Sequence, residues 1–116
     1  MSVMLVYLTA KDRAEAETVG RALVEARLAA CVNIVDGMTS IYWWEGAVQT
    51  ETETLLLAKT RTDLVDELVA KVKALHGYAV PAVSAVPVLK GSKEYLRWVE
   101  AETRQDEDPA GAPDQA

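Results

Sequence analysis

The sequence predicts an α+β domain in which two helices cover one face of a four-stranded antiparallel sheet. Three observations lead to this prediction. The chain has 116 residues, half of them apolar, which suffices for one packed domain. Short apolar runs typical of strands alternate with apolar stripes at helical spacing. Their order along the chain is strand, helix, strand, strand, helix and strand, followed by a last helix.

A strand and a helix open the chain. Residues 3–9 form a short apolar run rich in strand-forming side chains, which predicts a buried strand. Asp12 lies three residues before Glu15, a spacing typical of a helix N-terminus. Apolar residues then recur every three or four positions, so the sequence predicts a first helix over about residues 12–27.

A long β-hairpin is predicted next. Residues 31–44 and 47–59 are rich in strand formers, and the Glu-Gly pair at 45–46 fits a tight turn between them. The Asp-Gly pair at 36–37 interrupts the first arm. An Asp-Gly pair at this point indicates a bulge, after which the strand continues, and not the end of the strand.

The second half of the chain supplies a helix, an edge strand and a last helix. An apolar stripe over residues 64–75 predicts the second helix, with Gly77 as its C-cap. Residues 82–90 predict a fourth strand, in which Pro87 favours a sheet edge or a bulge. A Gly-Ser turn at residues 91–92 begins the last helix.

The domain is expected to end before the acidic C-terminus. Residues 104–116 are polar and contain Pro, Gly and Ala, so we expect a disordered tail after a single domain formed by residues 1–103. Within that domain the order is β-α-β-β-α-β plus a C-terminal helix. This order is the ferredoxin-like plan.

The hairpin is too long for the two helices to cover. Its arms have about 13 residues, or roughly 44 Å of strand, whereas a helix of about 15 residues spans roughly 22 Å. The tip, with Tyr42, Trp43 and Trp44, therefore extends beyond the helices. Residues 3–8 and 55–58 are uninterrupted apolar runs, typical of strands covered on both faces. Other copies of the chain are the simplest cover, so we predict a closed homo-oligomer.

Charge and cysteine content exclude several classes of protein. The chain has 12 Lys and Arg against 18 Asp and Glu, a net charge of −6, and half of that charge lies in the tail. This balance argues against a nucleic-acid or anionic-membrane surface. The single Cys31 excludes an internal disulfide framework and a multi-cysteine zinc site. The N-terminal residues have neither a basic leader nor a long apolar span, so we expect a cytoplasmic protein without a membrane segment.

Several motifs occur in order along residues 3–103. The sequence reads LAACVNI over 28–34, SIYWWEG over 40–46, LLLAKT over 55–60, HGYAVP over 76–81 and YLRW over 95–98. This pattern resembles the CutA family of divalent-cation tolerance proteins. The resemblance implies a trimer of ferredoxin-like subunits, similar in architecture to the PII proteins, with long hairpins wrapped onto neighbouring subunits. It also implies a role in tolerance of divalent metals, copper above all, and no catalytic reaction.

The chain departs from the family pattern around its histidine. Gly77 stands where family members usually have proline, and Ala82 stands where they usually have glutamate. The second departure removes a carboxylate from the cleft that the resemblance implies. Leu8 and Leu75 occupy positions where some members carry a cysteine and a second histidine. Of the side chains associated with copper in such members, only His76 remains.

Two side chains are candidate metal ligands. His76 is the only histidine, although a partly cationic ring in the last turn of a helix is also favourable by itself. Cys31 is a soft ligand for copper, although a free cysteine on a strand is more commonly a small buried hydrophobe. One imidazole cannot form a tight site, so other copies of His76, or Cys31 of a neighbouring copy, would have to contribute. We therefore expect Cu(II) or another divalent cation, and no obligatory cofactor.

Other polar and aromatic residues are candidates for a cleft or an interface. Lys59 and Tyr78 are expected in a ligand cleft between subunits. Glu51 and Glu53 share a strand face and could bind a hard cation, but their alternation with threonine is more typical of a solvated strand. Trp and Tyr are enriched at protein interfaces, so four aromatic residues are predicted to be interface anchors: Tyr42, Trp43, Trp44 and Trp98.

Two functions are therefore predicted. The first is a trimeric metal-response protein that binds copper or another divalent cation weakly at clefts between subunits. The second is a PII-like trimer that binds a small anion or nucleotide near Lys59 and docks an unidentified protein partner. It rests on fold analogy, because the sequence has no Gly-rich phosphate loop. An enzyme is not predicted, because nothing places a nucleophile beside the single histidine.

Overall fold

The computed structural model describes residues 2–78 and 80–104. Its elements are β1 (Val3–Ala10), α1 (Arg13–Glu25), β2 (Cys31–Trp44), β3 (Ala47–Arg61), a turn of 3-10 helix (Thr62–Leu64), α2 (Val65–Leu75), β4 (Val83–Pro87) and α3 (Lys93–Glu102). The strands form one antiparallel sheet in the order β2-β3-β1-β4. The predicted ferredoxin-like fold is confirmed, including the edge position of the strand that contains Pro87.

The core lies between one face of the sheet and the helices α1 and α2. Its fully buried side chains come from alternate positions of β1 and β3 and from the apolar stripes of both helices: Val6, Leu8, Leu56, Ala58, Val19, Leu23, Leu68 and Val72. Their neighbours in the same strands point the other way. Leu5 and Leu57 are only partly buried, and Tyr7 is exposed. The sheet therefore has one face covered by α1 and α2 and a second face that is open around Tyr7. At the end of the second face near Cys31, Tyr95 of α3 lies against the strands.

The hairpin of β2 and β3 extends well beyond the rest of the sheet. β1 ends where Ala10 pairs with Thr54, so from Glu53 to the tip the two arms pair only with each other. Glu45 and Gly46 have φ values of 50° and 80°, as the predicted tight turn requires. The predicted bulge is also present, because the β2–β3 register shifts between residues 35 and 38, where Gly37 has φ 76°.

The N-terminus of α1 matches the predicted cap, whereas the C-terminus of α2 does not. Asp12 caps α1 as predicted, because its Oδ1 accepts a hydrogen bond of 2.9 Å from the Glu15 N–H. The prediction that Gly77 caps α2 is wrong. The cap is His76, which leaves the helix in an extended conformation (φ −84°, ψ 144°), with its N–H bonded to the Val72 carbonyl. Side-chain bonds of His76 fix this exit, so no left-handed glycine is needed.

Helix α3 contacts the end of α1 and the start of α2 through its C-terminal end. Its N-cap is Ser92, and its C-terminal end meets α1 through Arg27, which contacts the carbonyl and the carboxylate of Glu102 at 3.1 and 3.2 Å. Arg104 continues this contact, because its N–H donates to the Arg27 carbonyl and its guanidinium pairs with Glu67. Arg104, the first residue of the predicted tail, is thus bonded to Arg27 and Glu67. The remainder of the predicted tail, residues 105–116, lies outside the described residues.

No helix within residues 2–78 and 80–104 combines the length and the apolarity needed to cross a membrane.

Candidate functional site

A cavity of about 540 Å³ lies on the open face, where β1 ends and the hairpin continues. The side chains that define its chemistry are four aromatic rings and two carboxylates: Tyr7, Tyr42, Trp44, Tyr78, Glu51 and Glu53. One wall is the post-α2 segment, by which we mean residues 76–78 and 80–82. Ala82 is part of this wall, so the family glutamate that this chain lacks belongs to a position at the cavity.

Strand register explains why these side chains meet. Glu53 lies opposite Met38, and Glu51 lies opposite Ser40, so each pair shares a face of the hairpin. The Tyr7 hydroxyl contacts the Met38 sulfur at 3.7 Å, which identifies that face as the open one. Because side chains alternate along a strand, Tyr42 and Trp44 follow on the same face. The hairpin thus forms the floor of the cavity.

Glu53 and Tyr78 connect this floor to the wall. The Tyr78 hydroxyl donates a hydrogen bond of 2.8 Å to Glu53 Oε2, and Glu53 is only 7% exposed. Burial raises the pKa of the Tyr78 phenol, and the hydrogen bond to Glu53 raises it further. Burial and the carboxylate of Glu51 likewise raise the pKa of Tyr42. Both phenols therefore stay protonated at neutral pH.

The two carboxylates have no counter-charge within the described part of the chain. No Lys, Arg or His among those residues forms an ion pair with Glu51 or Glu53, and none lines the cavity. A buried carboxylate is normally paired with a cation or held by several hydrogen bonds. The cavity therefore carries an excess of negative charge.

His76 lies beside the cavity with both ring nitrogens engaged. Nε2 is 2.6 Å from the Thr9 carbonyl oxygen, and Nδ1 accepts a hydrogen bond of 3.0 Å from the Tyr78 N–H. Since a carbonyl oxygen can only accept, Nε2 carries the proton of the neutral ring. The side chain is fully buried and meets the Tyr78 ring edge-on at 4.5 Å. In this arrangement His76 positions Tyr78 and offers no free nitrogen to a metal.

Glu15 fixes the post-α2 segment to the start of α1. Its Oε1 accepts a hydrogen bond from the Lys11 N–H, and its Oε2 accepts one from the Gly77 N–H, both at 2.9 Å. A proline at position 77, as in the family pattern, has no N–H for the second bond. The departure at Gly77 therefore creates a contact between α1 and the cavity wall.

Removing this carboxylate tests that connection. Glu15→Ala should lower the free energy of unfolding by about 1.5 to 3 kcal/mol, the range for hydrogen bonds to charged groups. Urea denaturation at one protein concentration measures it. Glu17→Ala is the matched control. Glu17 lies two residues after Glu15 on the same helix, and its side chain is 56% exposed and forms an ion pair with Arg13. Such a surface pair contributes at most about 1 kcal/mol. Equal losses in both variants would contradict the assigned role of Glu15.

Cys31 and Lys59 lie at the other end of the sheet. They are paired partners on β2 and β3, whereas His76 contacts Thr9, which pairs with Leu55. Four residues of strand separate positions 55 and 59, or roughly 13 Å. The structure thus places Cys31 apart from His76, and Lys59 apart from Tyr78, within one chain. Across the described residues, no group of three or more His, Cys, Asp or Glu is arranged to hold a metal ion.

Each of these two residues has a local partner. The Cys31 sulfur lies 3.5 Å from the Tyr95 hydroxyl, and this hydrogen bond, with burial, raises the pKa of Tyr95 to about 12. Lys59 is hydrogen-bonded to Asn33. Both contacts lie on the open face of the sheet, outside the cavity.

The predicted interface residues are exposed in the single chain. Trp43 is 74% exposed, Trp44 44% and Tyr42 37%, and all three belong to the end of the hairpin. Trp43 and Trp44 point to opposite faces, with Trp44 beside the cavity. Trp98 is 42% exposed on α3 and stacks on Tyr95 at 5.9 Å.

Sequence reasoning missed the importance of Glu51 and Glu53. It interpreted them as a solvated strand, since threonine and glutamate alternate there. A signal did exist: both glutamates and the aromatic pair Tyr42 and Trp44 occupy alternate positions on two paired arms. That signal becomes usable only once the register across the turn is known.

Comparison with known proteins identifies the family. The family model described as CutA1 divalent ion tolerance protein matches residues 4–102. The divalent-cation tolerance protein CutA of Thermus thermophilus is 50% identical over 99 residues, which cover 85% of this chain and 96% of that protein. The chloroplastic protein CutA 1 of Oryza sativa is 45% identical over 102 residues, which cover 88% of this chain. The chain spans little more than half of the rice protein, namely 58%.

Solved structures agree with these matches. The crystal structure of CutA1 from Oryza sativa superposes with a TM-score of 0.88 at 43% identity, covering 91% of this chain and 97% of that one. The Thermus thermophilus protein gives a TM-score of 0.86 at 48% identity, covering 88% and 99%. The chain therefore belongs to the CutA1 family of divalent ion tolerance proteins.

Proposed function

We propose that this chain is a homotrimeric divalent-cation tolerance protein that binds a divalent cation, Cu(II) foremost, weakly at clefts between its subunits. The observation that carries the proposal is the charge of the cavity on the open face. Glu51 and Glu53 face it, and no Lys or Arg of the described residues does so. Coulomb attraction favours a cation in such a cavity and opposes an anion.

The exposed apolar surface supports assembly into an oligomer. The open face and the hairpin leave large side chains in contact with solvent in the single chain, among them Val35, Ile41, Trp43 and Val48, each at least 48% exposed. Ile41, Trp43 and Val48 lie together on the hairpin face opposite the cavity, and an exposed apolar patch of this kind marks a protein interface. A neighbouring copy that covers the open face also covers the cavity, which makes the cavity a cleft between subunits.

Weak binding is consistent with the donors that one chain supplies. Two carboxylates fall short of the about six to eight oxygen ligands that a hard cation such as Ca²⁺ takes. The neighbouring copy and water must complete the site. Cys31 is the accessible soft donor of the two predicted ligands, whereas His76 has to give up its bonds to Thr9 and Tyr78 before it can bind copper.

The PII-like alternative is less well supported. A nucleotide or another small anion meets the negative charge of Glu51 and Glu53 in the cavity. Lys59, the residue expected to attract such an anion, does not line the cavity and is bonded to Asn33. The charge around the cavity thus favours a cationic ligand.

Calorimetric titration of the chelator-treated protein with Cu(II) and Mg²⁺ tests the metal proposal. Glu51→Gln should weaken binding at least about tenfold, since even indirect support of a metal ligand has effects of about that size. Glu45→Gln removes the same charge from the hairpin turn and should bind as wild type. His76→Ala and Cys31→Ser then assign the soft ligands: unchanged Cu(II) binding in either variant removes that residue from the site. No measurable binding of either metal would overturn the proposal.

A further inference from the structure

The cavity is larger and more aromatic than a bare metal ion requires. Its volume of about 540 Å³ falls in the range of small-molecule sites, about 300 to 1,000 Å³. Four aromatic rings line it: those of Tyr7, Tyr42, Trp44 and Tyr78. Aromatic rings attract cations through their π faces and cover aliphatic carbon, but they give no ligand to a hard metal ion. The lining therefore fits an organic cation better than a bare metal ion.

A buried negative charge points to the same class of ligand. Glu53 is 7% exposed, and its hydrogen bond in the cavity comes from the neutral Tyr78 hydroxyl. Within the described residues no cationic side chain pairs with it. A carboxylate in this position is stabilised by a positive group brought from outside the chain. That group must reach the end of the cavity formed by Tyr78 and Glu53.

The two carboxylates are spaced for two positive groups. Glu51 and Glu53 are two residues apart on one face of β3, a separation of roughly 7 Å. Glu53 is buried beside Tyr78, whereas Glu51 is exposed and lies nearer the hairpin tip. Tyr42 lies across from Gln49 on the neighbouring strand, on the same face as Glu51, and both residues line the cavity. A ligand that runs along β3 therefore meets one carboxylate, then the other, with aromatic rings beside it.

We propose that this cavity binds a linear alkyl diamine in its doubly protonated form. One ammonium group pairs with Glu53 and the other with Glu51, while the methylene chain lies against the rings of Tyr42 and Trp44. The inference rests on the cation site of the proposed function, because it uses the same two carboxylates, but it assigns a different class of ligand. A phosphate-bearing ligand is repelled by both carboxylates, and a neutral one leaves Glu53 without a counter-charge.

Calorimetric titration of the full chain with putrescine tests the inference. Butylamine, with one charge, and butanediol, with none, are the matched analogues. We expect butylamine to bind about tenfold more weakly than putrescine, since it lacks one charge-assisted hydrogen bond, and butanediol not to bind. Equal affinities of putrescine and butylamine would overturn the assignment of two carboxylates to one ligand. No binding of either amine, as when a cationic side chain of a neighbouring copy fills the cavity, would overturn the whole inference.

Variants assign the binding to this cavity. Glu51→Gln should reduce putrescine to the affinity of butylamine, a loss of about tenfold, and Glu45→Gln should leave it unchanged. Tyr42→Leu should weaken binding about threefold, because the π face is lost, whereas Tyr42→Phe keeps the ring and should bind as wild type. Circular dichroism and light scattering on each variant show that fold and assembly are kept. Wild-type affinity of Glu51→Gln would place the amine elsewhere and overturn the inference.

The metal titrations on the same samples separate this inference from the proposed function. Metal binding without putrescine binding leaves the metal proposal standing and overturns the diamine. Putrescine binding without metal binding overturns the metal proposal and supports the diamine. Binding of both, with each ligand displacing the other from wild type, supports the shared use of Glu51.

Discussion

Leu56→Ala should lower the free energy of unfolding by about 2 to 5 kcal/mol, the range for deleting a fully buried leucine side chain. Leu56 is 0% exposed, pairs with Leu8 on β1 and packs beneath α1. The helix is close, because a methyl group placed on Gly20 would lie 3.7 Å from Leu56 Cδ2. Neighbours held by two layers cannot collapse into the space left by the side chain. Urea denaturation followed by circular dichroism, at one fixed protein concentration, measures the loss.

Leu89→Ala is the control for this variant. It makes the same chemical change at a side chain that is 86% exposed, so its effect should stay within about 0.5 kcal/mol. A loss below about 1 kcal/mol for Leu56→Ala would contradict a closely packed layer of α1 and α2 on this face of the sheet.

The second large effect concerns assembly. Trp44→Ala should weaken association of the subunits by at least about 2 kcal/mol, the threshold for an interface hot spot. Trp44 is on the open face near the hairpin tip and is 44% exposed in the single chain, so a neighbouring copy seated on that face would cover it. Sedimentation velocity over a dilution series, in the absence of metal and amine, measures the association.

The control for assembly is a partly exposed leucine on the helix layer. Leu75 is 38% exposed on α2, away from the open face, so Leu75→Ala should associate as wild type. If Trp44→Ala also keeps the wild-type association constant, Trp44 is not an interface anchor. A wild-type chain that remains monomeric at all concentrations would overturn the homo-oligomer itself.

Much of the fold was predictable because its signals are local. Asp12 and Glu15 mark the start of α1 through a capping interaction between residues three apart. Gly46 and Gly37 mark the turn and the bulge, since both need a positive φ that glycine adopts without strain. The apolar stripe of α2 and the continuous apolar run of β3 likewise depend only on neighbouring residues.

The exit from α2 shows where local reasoning failed. Gly77 follows the helix as a C-cap glycine commonly does, but its N–H donates to Glu15, a residue 62 positions earlier in the chain. His76 ends the helix because its ring bonds to the Thr9 carbonyl, 67 positions away. Neither partner is visible in the sequence around residue 76, so the propensity of glycine for the C-cap was overridden by tertiary contacts.

The sequence by itself determined the kinds of element, their order, the turn, the bulge and the family. It did so because these depend on hydrophobic periodicity and on backbone preferences of single residues. Only the tertiary structure decided that Glu53 is buried against Tyr78, that both nitrogens of His76 are engaged, and that Cys31 lies at the far end of the sheet. These facts depend on strand register and on contacts between distant residues, which bring Glu51 and Glu53 to an aromatic cavity and place both predicted metal ligands outside it.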